Sequence, residues 1–229
     1  MNAGRILGGT VAALVAFTLL RATHMLGDLT DVVFVLLALA VTLVALRSGM
    51  GRGELGLERR DLGSGARFGF AAMLLVVVVV VVAAMIPATA SFMDDDRVKV
   101  GAGGLLHELV LSILIGTVIP EELLFRGVIL GSAMDRWGRG RGVIVSSLLF
   151  STWHIAPTLS TAGGNAELSD AASSLAGRSA LVAGAMITTF VAGLVFAWLR
   201  LRSRSLLAPV IAHLATNGVA FSVAWFVAG

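Results

Sequence analysis

Apolar positions run along this chain in seven long blocks, approximately 6–20, 32–46, 68–90, 104–134, 142–157, 180–199 and 206–228, separated by short polar stretches. Roughly 20 apolar residues are needed to cross ~30 Å of hydrocarbon. The pattern therefore predicts an all-α fold, a polytopic membrane bundle of about seven transmembrane helices. The third block, with its valine run from Val76 to Val82, is the clearest of them. Valine this dense favours a strand in water, but in lipid each segment must satisfy its own backbone, which selects helix. The first two blocks are short for full crossings. The fourth, at roughly 46 Å as a straight helix, is too long for one. Pro120 lies inside it, disfavours a helical Ile119 and suits the first turn of a new helix, so a bend is expected there.

Composition removes the soluble classes. Over 229 residues the chain is 57% hydrophobic and 14% charged, with mean hydropathy +0.94, outside the range of ordinary soluble domains. The 17 basic residues, all arginine except Lys99, crowd into short connections and do not form a nucleic-acid surface. No nucleic-acid partner is expected. Arg47, Arg52, Arg59, Arg60 and Arg67 occupy one connection, Arg136, Arg139 and Arg141 a second, and Arg200, Arg202 and Arg204 a third. The excess of positive charge assigns these three to the cytoplasmic side. By alternation the N-terminus is cytoplasmic, the C-terminus outside, and the Asp94-Asp95-Asp96 loop and the loop at 158–177 face outward. The expected location is the cell inner membrane. The 6–20 block resembles the core of a signal peptide but lacks a small-residue cleavage motif, and reads as retained. With no cysteine there is no disulfide, thiol nucleophile or thiolate ligand. Carboxylate, imidazole and hydroxyl remain.

Those groups concentrate after residue 104. Within Pro120-Glu121-Glu122-Leu123-Leu124-Phe125-Arg126-Gly127, two adjacent carboxylates and an arginine sit in apolar sequence, and ionisable groups at membrane depth imply function by default. Glu122 and Arg126 are spaced i, i+4 with the acid first, the favourable order for an ion pair. Glu121 then points elsewhere, about 100° round the helix, and stays available. A helix start at Pro120 would place both carboxylates against free backbone N–H groups. His154 closes Phe150-Ser151-Thr152-Trp153-His154 in the fifth block, ~18 Å from its cytoplasmic start. His213 and Asn217 share one face of the last block, starting ~12 Å from its cytoplasmic side. Three separate blocks thus bring Glu, His and His-plus-Asn to one layer.

Plainer readings compete at each position. A lone intramembrane histidine can satisfy itself on a neighbouring carbonyl, and an asparagine can serve as interhelical glue. Phe125, Phe150 and Trp153 read as packing residues. Gly184, Ala185, Thr188, Thr189 and Gly193 read as a close-packing stripe. His107-Glu108 begins like a zinc-protease HExxH helix, but Leu111 occupies the second histidine's place, so it reads as a pair near the outer membrane face. His24 is a loop residue.

In this order and on apolar spans, Glu121-Glu122-x-x-x-Arg126, Phe150-x-x-x-His154 and His213-x-x-x-Asn217 resemble the CAAX-protease and bacteriocin-processing family of intramembrane peptidases, related to the type II CAAX prenyl protease. Glu-Glu-Leu-Leu-Phe-Arg-Gly and Ala208-Pro209-Val210-Ile211-Ala212-His213 are also similar to that family's strings. The resemblance covers about residues 104–220. It implies a helical core with a cavity open to the cytosol, in which peptide bonds are hydrolysed within the membrane. It implies Glu121 as general base, His154 as its partner, and His213 with Asn217 polarising the water or the oxyanion, with Glu122 and Arg126 in support. The implied domain plan is 1–100 as N-terminal spans peripheral to the site and 101–229 as the catalytic core. The implied partners are membrane lipids and a peptide or protein substrate, possibly CAAX-like, arriving from the membrane or the cytoplasmic side.

Elementary chemistry agrees, since peptide hydrolysis without a nucleophilic side chain needs a base for water and donors for the oxyanion. One Glu and two His could equally hold Zn²⁺ with a position left for water. That would consume the glutamate best placed as base, so no cofactor is favoured and Zn²⁺ is the alternative. Two further classes stay open. One is a non-enzymatic bacteriocin-immunity or scaffolding protein whose polar network only fixes helix packing. The other is a proton-coupled transporter, for which Glu and His chains are relays, although inverted repeats are not visible.

Overall fold

The structure, a computed structural model, describes residues 3–86, 98–161, 169–170 and 172–228. The Asp94-Asp95-Asp96 loop, residues 87–90 of the third apolar block, and residues 162–168 and 171 of the 158–177 loop lie outside the described residues. Seven helices are long and apolar enough to cross a membrane, and among the described residues there is no strand. We number them α1 (Ala3–Ala22), α2 (Gly27–Arg47), α3 (Arg52–Ala84), α4 (Ala102–Trp137), α5 (Arg139–Ser160), α6 (Leu175–Ser203) and α7 (Leu207–Phe226). The first two reach 20 and 21 residues, so the short apolar blocks are completed by their flanking residues. The valine run lies in α3 as helix, with Val78, Val79, Val81 and Val82 exposed. β-branched side chains there face the surroundings, where helix is the only self-satisfying backbone.

α4 is the axis of the bundle. It is contacted by α1 and α2 on one side and by α5, α6 and α7 on others, while α7 packs along α3 and α5 along α6. The buried apolar cluster gathers around it: Leu124, Phe125, Ile129 and Ala133 of α4 meet Phe17, Phe34, Phe150, Phe196 and Ala212. Gly193 of α6 lies so close to α5 that a Cβ there would meet the Ser147 backbone at 3.0 Å, the close approach expected of a small-residue stripe.

The new helix start expected at Pro120 is absent. Ile119 is helical, at φ −61° and ψ −51°, and α4 continues unbroken from 102 to 137. Widened π-helical turns at Glu108–Val118 and Leu123–Ile129 flank the proline instead. In a π-turn the bonding partner moves from i−4 to i−5, so a residue without an N–H and with a bulky ring is accommodated by local widening. The carboxylates accordingly do not sit at a helix start.

On the arginine-rich side the chain from 47 to 67 is not a plain loop. It forms a helical turn at Arg52–Leu55, a 3₁₀ turn at Arg59–Asp61, and then the long helical stretch Leu62–Ala84. The Gly51 amide donates to the Glu54 carboxylate at its start. Arg200, buried at the end of α6, donates from Nη2 to the Gly53 and Glu54 carbonyls, each at 2.9 Å. Beside them Leu206 donates its amide to the Gly56 carbonyl at 2.9 Å. Gly56 has φ +77°, and a Cβ on it would lie 2.2 Å from Arg200 Nε. Gly56→Ala therefore combines a left-handed backbone with a collision, and is expected to destabilise the protein by ~1–3 kcal/mol. An unchanged unfolding midpoint in detergent would remove Gly56 and Arg200 from this role.

Candidate active site

Glu121 and Glu122 lie mid-way along α4 between its two π-turns, 4% and 0% exposed. Arg126 follows one turn later, its Nη1 3.2 Å from Glu122 Oε1 with both side chains fully buried. The pair is held by charge more than by fork geometry, because none of the guanidinium nitrogens makes a well-directed hydrogen bond. Aromatic faces supply the remainder: the guanidinium carbon lies 3.8 Å from the Phe150 ring centre and 5.0 Å from that of Phe196, distances at which a desolvated cation–π contact is worth ~2 kcal/mol.

The same Glu122 oxygen takes a hydrogen bond from His213 Nδ1 at 2.8 Å. A carboxylate accepts, so Nδ1 carries the proton and Nε2 of the neutral ring presents its lone pair. That Nε2 is 3.8 Å from Glu121 Oε2. Although the two glutamates diverge around the helix, one imidazole reaches both, because its two nitrogens point in different directions. Phe196 stacks on His213 at 5.0 Å between ring centres and fixes the plane.

His154 repeats the pattern from α5. Its Nδ1 lies 2.8 Å from the Phe150 carbonyl, which can only accept, so here too Nε2 is the free acceptor. It stands 3.9 Å from Glu121 Oε2. The modest reading of a membrane histidine, satisfied on a carbonyl, thus describes one nitrogen of His154 and leaves the other for chemistry. Asn217, one turn beyond His213 and inside a third π-turn at Ala215–Val219, lines the same cavity as Glu121 and His154. Thr216 beside it donates to the His213 carbonyl at 2.8 Å, with Asn217 Oδ1 at 3.5 Å. The structure therefore brings Glu121, Glu122, Arg126, His154 and His213 into one cluster and sets Asn217 on the adjoining wall.

Trp153 is more than packing. Its Nε1–H donates to Glu121 Oε1 at 2.8 Å, while its ring stacks on Phe34 and Phe17 at 5.1 and 6.0 Å. The signal that could have found it is its position next to His154: a buried indole has one N–H to satisfy, and a carboxylate at the same depth satisfies it. With Oε1 taken, Oε2 is left buried without a hydrogen-bond partner, facing two Nε2 lone pairs. Glu121 lies at the floor of a cavity of about 650 Å³ that extends along Thr117, Ser112 and Glu108 to Asp31 and Arg21. The hairpin of α1 and α2, expected to be peripheral, contributes Phe17, Arg21, Asp31 and Phe34 to its wall. His107 is exposed, whereas its neighbour Glu108 lines the cavity.

Residues 104–219 match the family described as type II CAAX prenyl endopeptidase Rce1-like, over just more than half of the chain. The chain belongs to this family. No curated protein and no solved structure matches the chain. All six candidate positions fall within the stretch shared with the Rce1-like family, as does Trp153. For the alternative of a zinc ion, Glu121 Oε2 and the two Nε2 atoms are chemically a suitable donor set, and Glu122 and the Phe150 carbonyl occupy the positions of supporting acceptors. Among the described residues, however, no group of three or more such side chains has the arrangement needed to hold a metal ion.

Glu122→Gln leaves Arg126 buried without its counter-charge, and is expected to cost ~3–5 kcal/mol of stability. Adding Arg126→Met should recover part of that loss, because no uncompensated charge remains. Denaturant unfolding of the single and double variants checks this, and equal instability in the two would sink it.

Proposed function

We propose that the protein is an intramembrane endopeptidase that hydrolyses peptide bonds of a membrane-associated protein or peptide, with Glu121 as general base. The reading is carried by one observation, the buried Glu121 Oε2 atom without a protein hydrogen-bond partner, opposed by two imidazole Nε2 atoms beside a cavity of about 650 Å³ that Glu121, His154 and Asn217 line. Contacts of 3.8 and 3.9 Å are long for direct hydrogen bonds and suit a bridging water. That water gives one hydrogen to Oε2 and the other to an Nε2 lone pair, which directs its own lone pair at the scissile carbonyl.

On attack the oxygen–carbon bond forms, the carbonyl π electrons move to oxygen, and the water proton passes to Glu121. Collapse of the tetrahedral intermediate breaks the carbon–nitrogen bond, and the amine leaves with the proton returned by Glu121. Trp153 holds Oε1 so that Oε2 is the oxygen presented. With its Nδ1–H on Glu122, His213 turns Nε2 toward Glu121 and the water between them. Asn217 is then the neutral donor for the developing negative charge. Glu122 and Arg126 are positioning residues, acting through His213.

In purified protein assayed for peptide cleavage, Glu121→Gln keeps shape while removing basicity, and is expected to abolish hydrolysis without loss of folded protein. Asn217→Ala should fold and lose roughly 10²- to 10³-fold in kcat. Normal cleavage by Glu121→Gln would overturn the assignment. Trp153→Phe keeps the ring stack but removes the donor to a charged acceptor, a loss of ~1.5–3 kcal/mol, or roughly 10- to 100-fold, expected in kcat and not KM.

Metal involvement is tested separately. Exhaustive chelation should leave activity intact and metal analysis should find substoichiometric zinc. Stoichiometric zinc that disappears on His154→Ala would assign the chemistry to a metal site instead.

A further inference from the structure

The cavity above Glu121 has a direction. Apart from Glu121 and Thr216, which lie near the middle of their helices, its lining residues belong to the half of each helix farther from the arginine-rich connections. α1 contributes Arg21 from its end and α2 contributes Asp31 from its beginning, both exposed. α4 contributes Glu108 and Ser112 from its first third, α5 contributes Pro157 from its last turns, and α7 contributes Phe221. Polar side chains continue from the floor to this end, as a water-filled passage requires.

The other side of the site is filled. Ala45, Met50, Leu55 and Val128 form a buried apolar cluster there. Below it the chain at 53–56 is fastened to α6 and α7 by the two Arg200 hydrogen bonds and by the Leu206 amide. Arg200 is itself buried, so on the arginine-rich face a buried guanidinium, held through Nη2, and a packed turn stand where a passage to Glu121 would have to run.

We propose that the active site is reached from the membrane face opposite the arginine-rich loops. Positive charge assigns those loops to the cytoplasm, so the substrate is a peptide segment presented on the extracytoplasmic side, such as part of an exported or surface-anchored protein. This replaces the cytosolic opening that the family resemblance implied. The substrate class rests on the proteolytic reading; the access route does not.

The chain has no cysteine, so single-cysteine variants report one position each. Ser112→Cys and Thr117→Cys probe the cavity wall outside the proposed catalytic set, and Arg139→Cys probes the arginine-rich face. Each is treated with a membrane-impermeant sulfonated maleimide in spheroplasts and in inside-out vesicles. The two cavity variants should label in spheroplasts and lose that labelling in inside-out vesicles, with the reverse for Arg139→Cys. Labelling of the cavity cysteines from the same side as Arg139→Cys overturns the proposal. So does failure of both to label in either preparation when the denatured variants label. The labelling needs no turnover, and the same pattern is expected with Glu121→Gln added. If it holds while no peptide is cleaved, the access route stands and the proteolytic reading fails. If cleavage occurs, maleimide applied to spheroplasts carrying Ser112→Cys should abolish it.

Discussion

Burial of the Arg126 guanidinium at the centre of α4 is the constraint from which the site follows. A cation there needs an anion within reach and little water, and Glu122, one turn earlier on the same helix, is that anion. The rings of Phe150 and Phe196 close over the remaining faces. Once Glu122 Oε1 is fixed by Arg126, the same oxygen fixes the proton of His213 on Nδ1, and Phe196 fixes the plane of its ring. The free nitrogen of His213 then faces Glu121. A pair that does not itself line the cavity thereby decides which atom of His213 faces the glutamate that does.

Glu121 is defined from the other direction by Trp153, which occupies one carboxylate oxygen and leaves the second exposed to two acceptors. Oε2 itself has no hydrogen-bond partner in the protein, whereas in a network that only glues helices each polar atom is expected to find its partner within the protein.

Helix count and the identity of the polar cluster were legible because both depend on one-dimensional quantities. The length of an apolar block against membrane thickness gave seven crossings, as the structure has. Counting residues from each arginine-rich turn placed Glu121, His154 and His213 at similar depth. What was not legible depends on side-chain direction across helices. Trp153 reads as packing in the sequence because its N–H partner is 32 residues away. Arg200 counted only as a topology charge, whereas its guanidinium is buried on carbonyls of residues 53 and 54. Pro120 misled for a different reason: propensity describes α-geometry, and α4 widens into π-turns on both sides of it. Such turns are frequent at functional sites, and nothing in the local composition marks them.

The three-ring stack of Phe17, Phe34 and Trp153 bears on what counts as the smallest working unit. The stretch that carries the family signature begins at residue 104, yet the tryptophan that orients Glu121 rests on rings supplied by α1 and α2. At the opposite end, Arg200 Nη2 is held by backbone carbonyls from the first turn of α3. The stretch matched by the family and the set of residues that supports the carboxylate–histidine cluster therefore have different boundaries in this chain. The cluster lies within 104–219, and side chains of α1 and α2 pack against it.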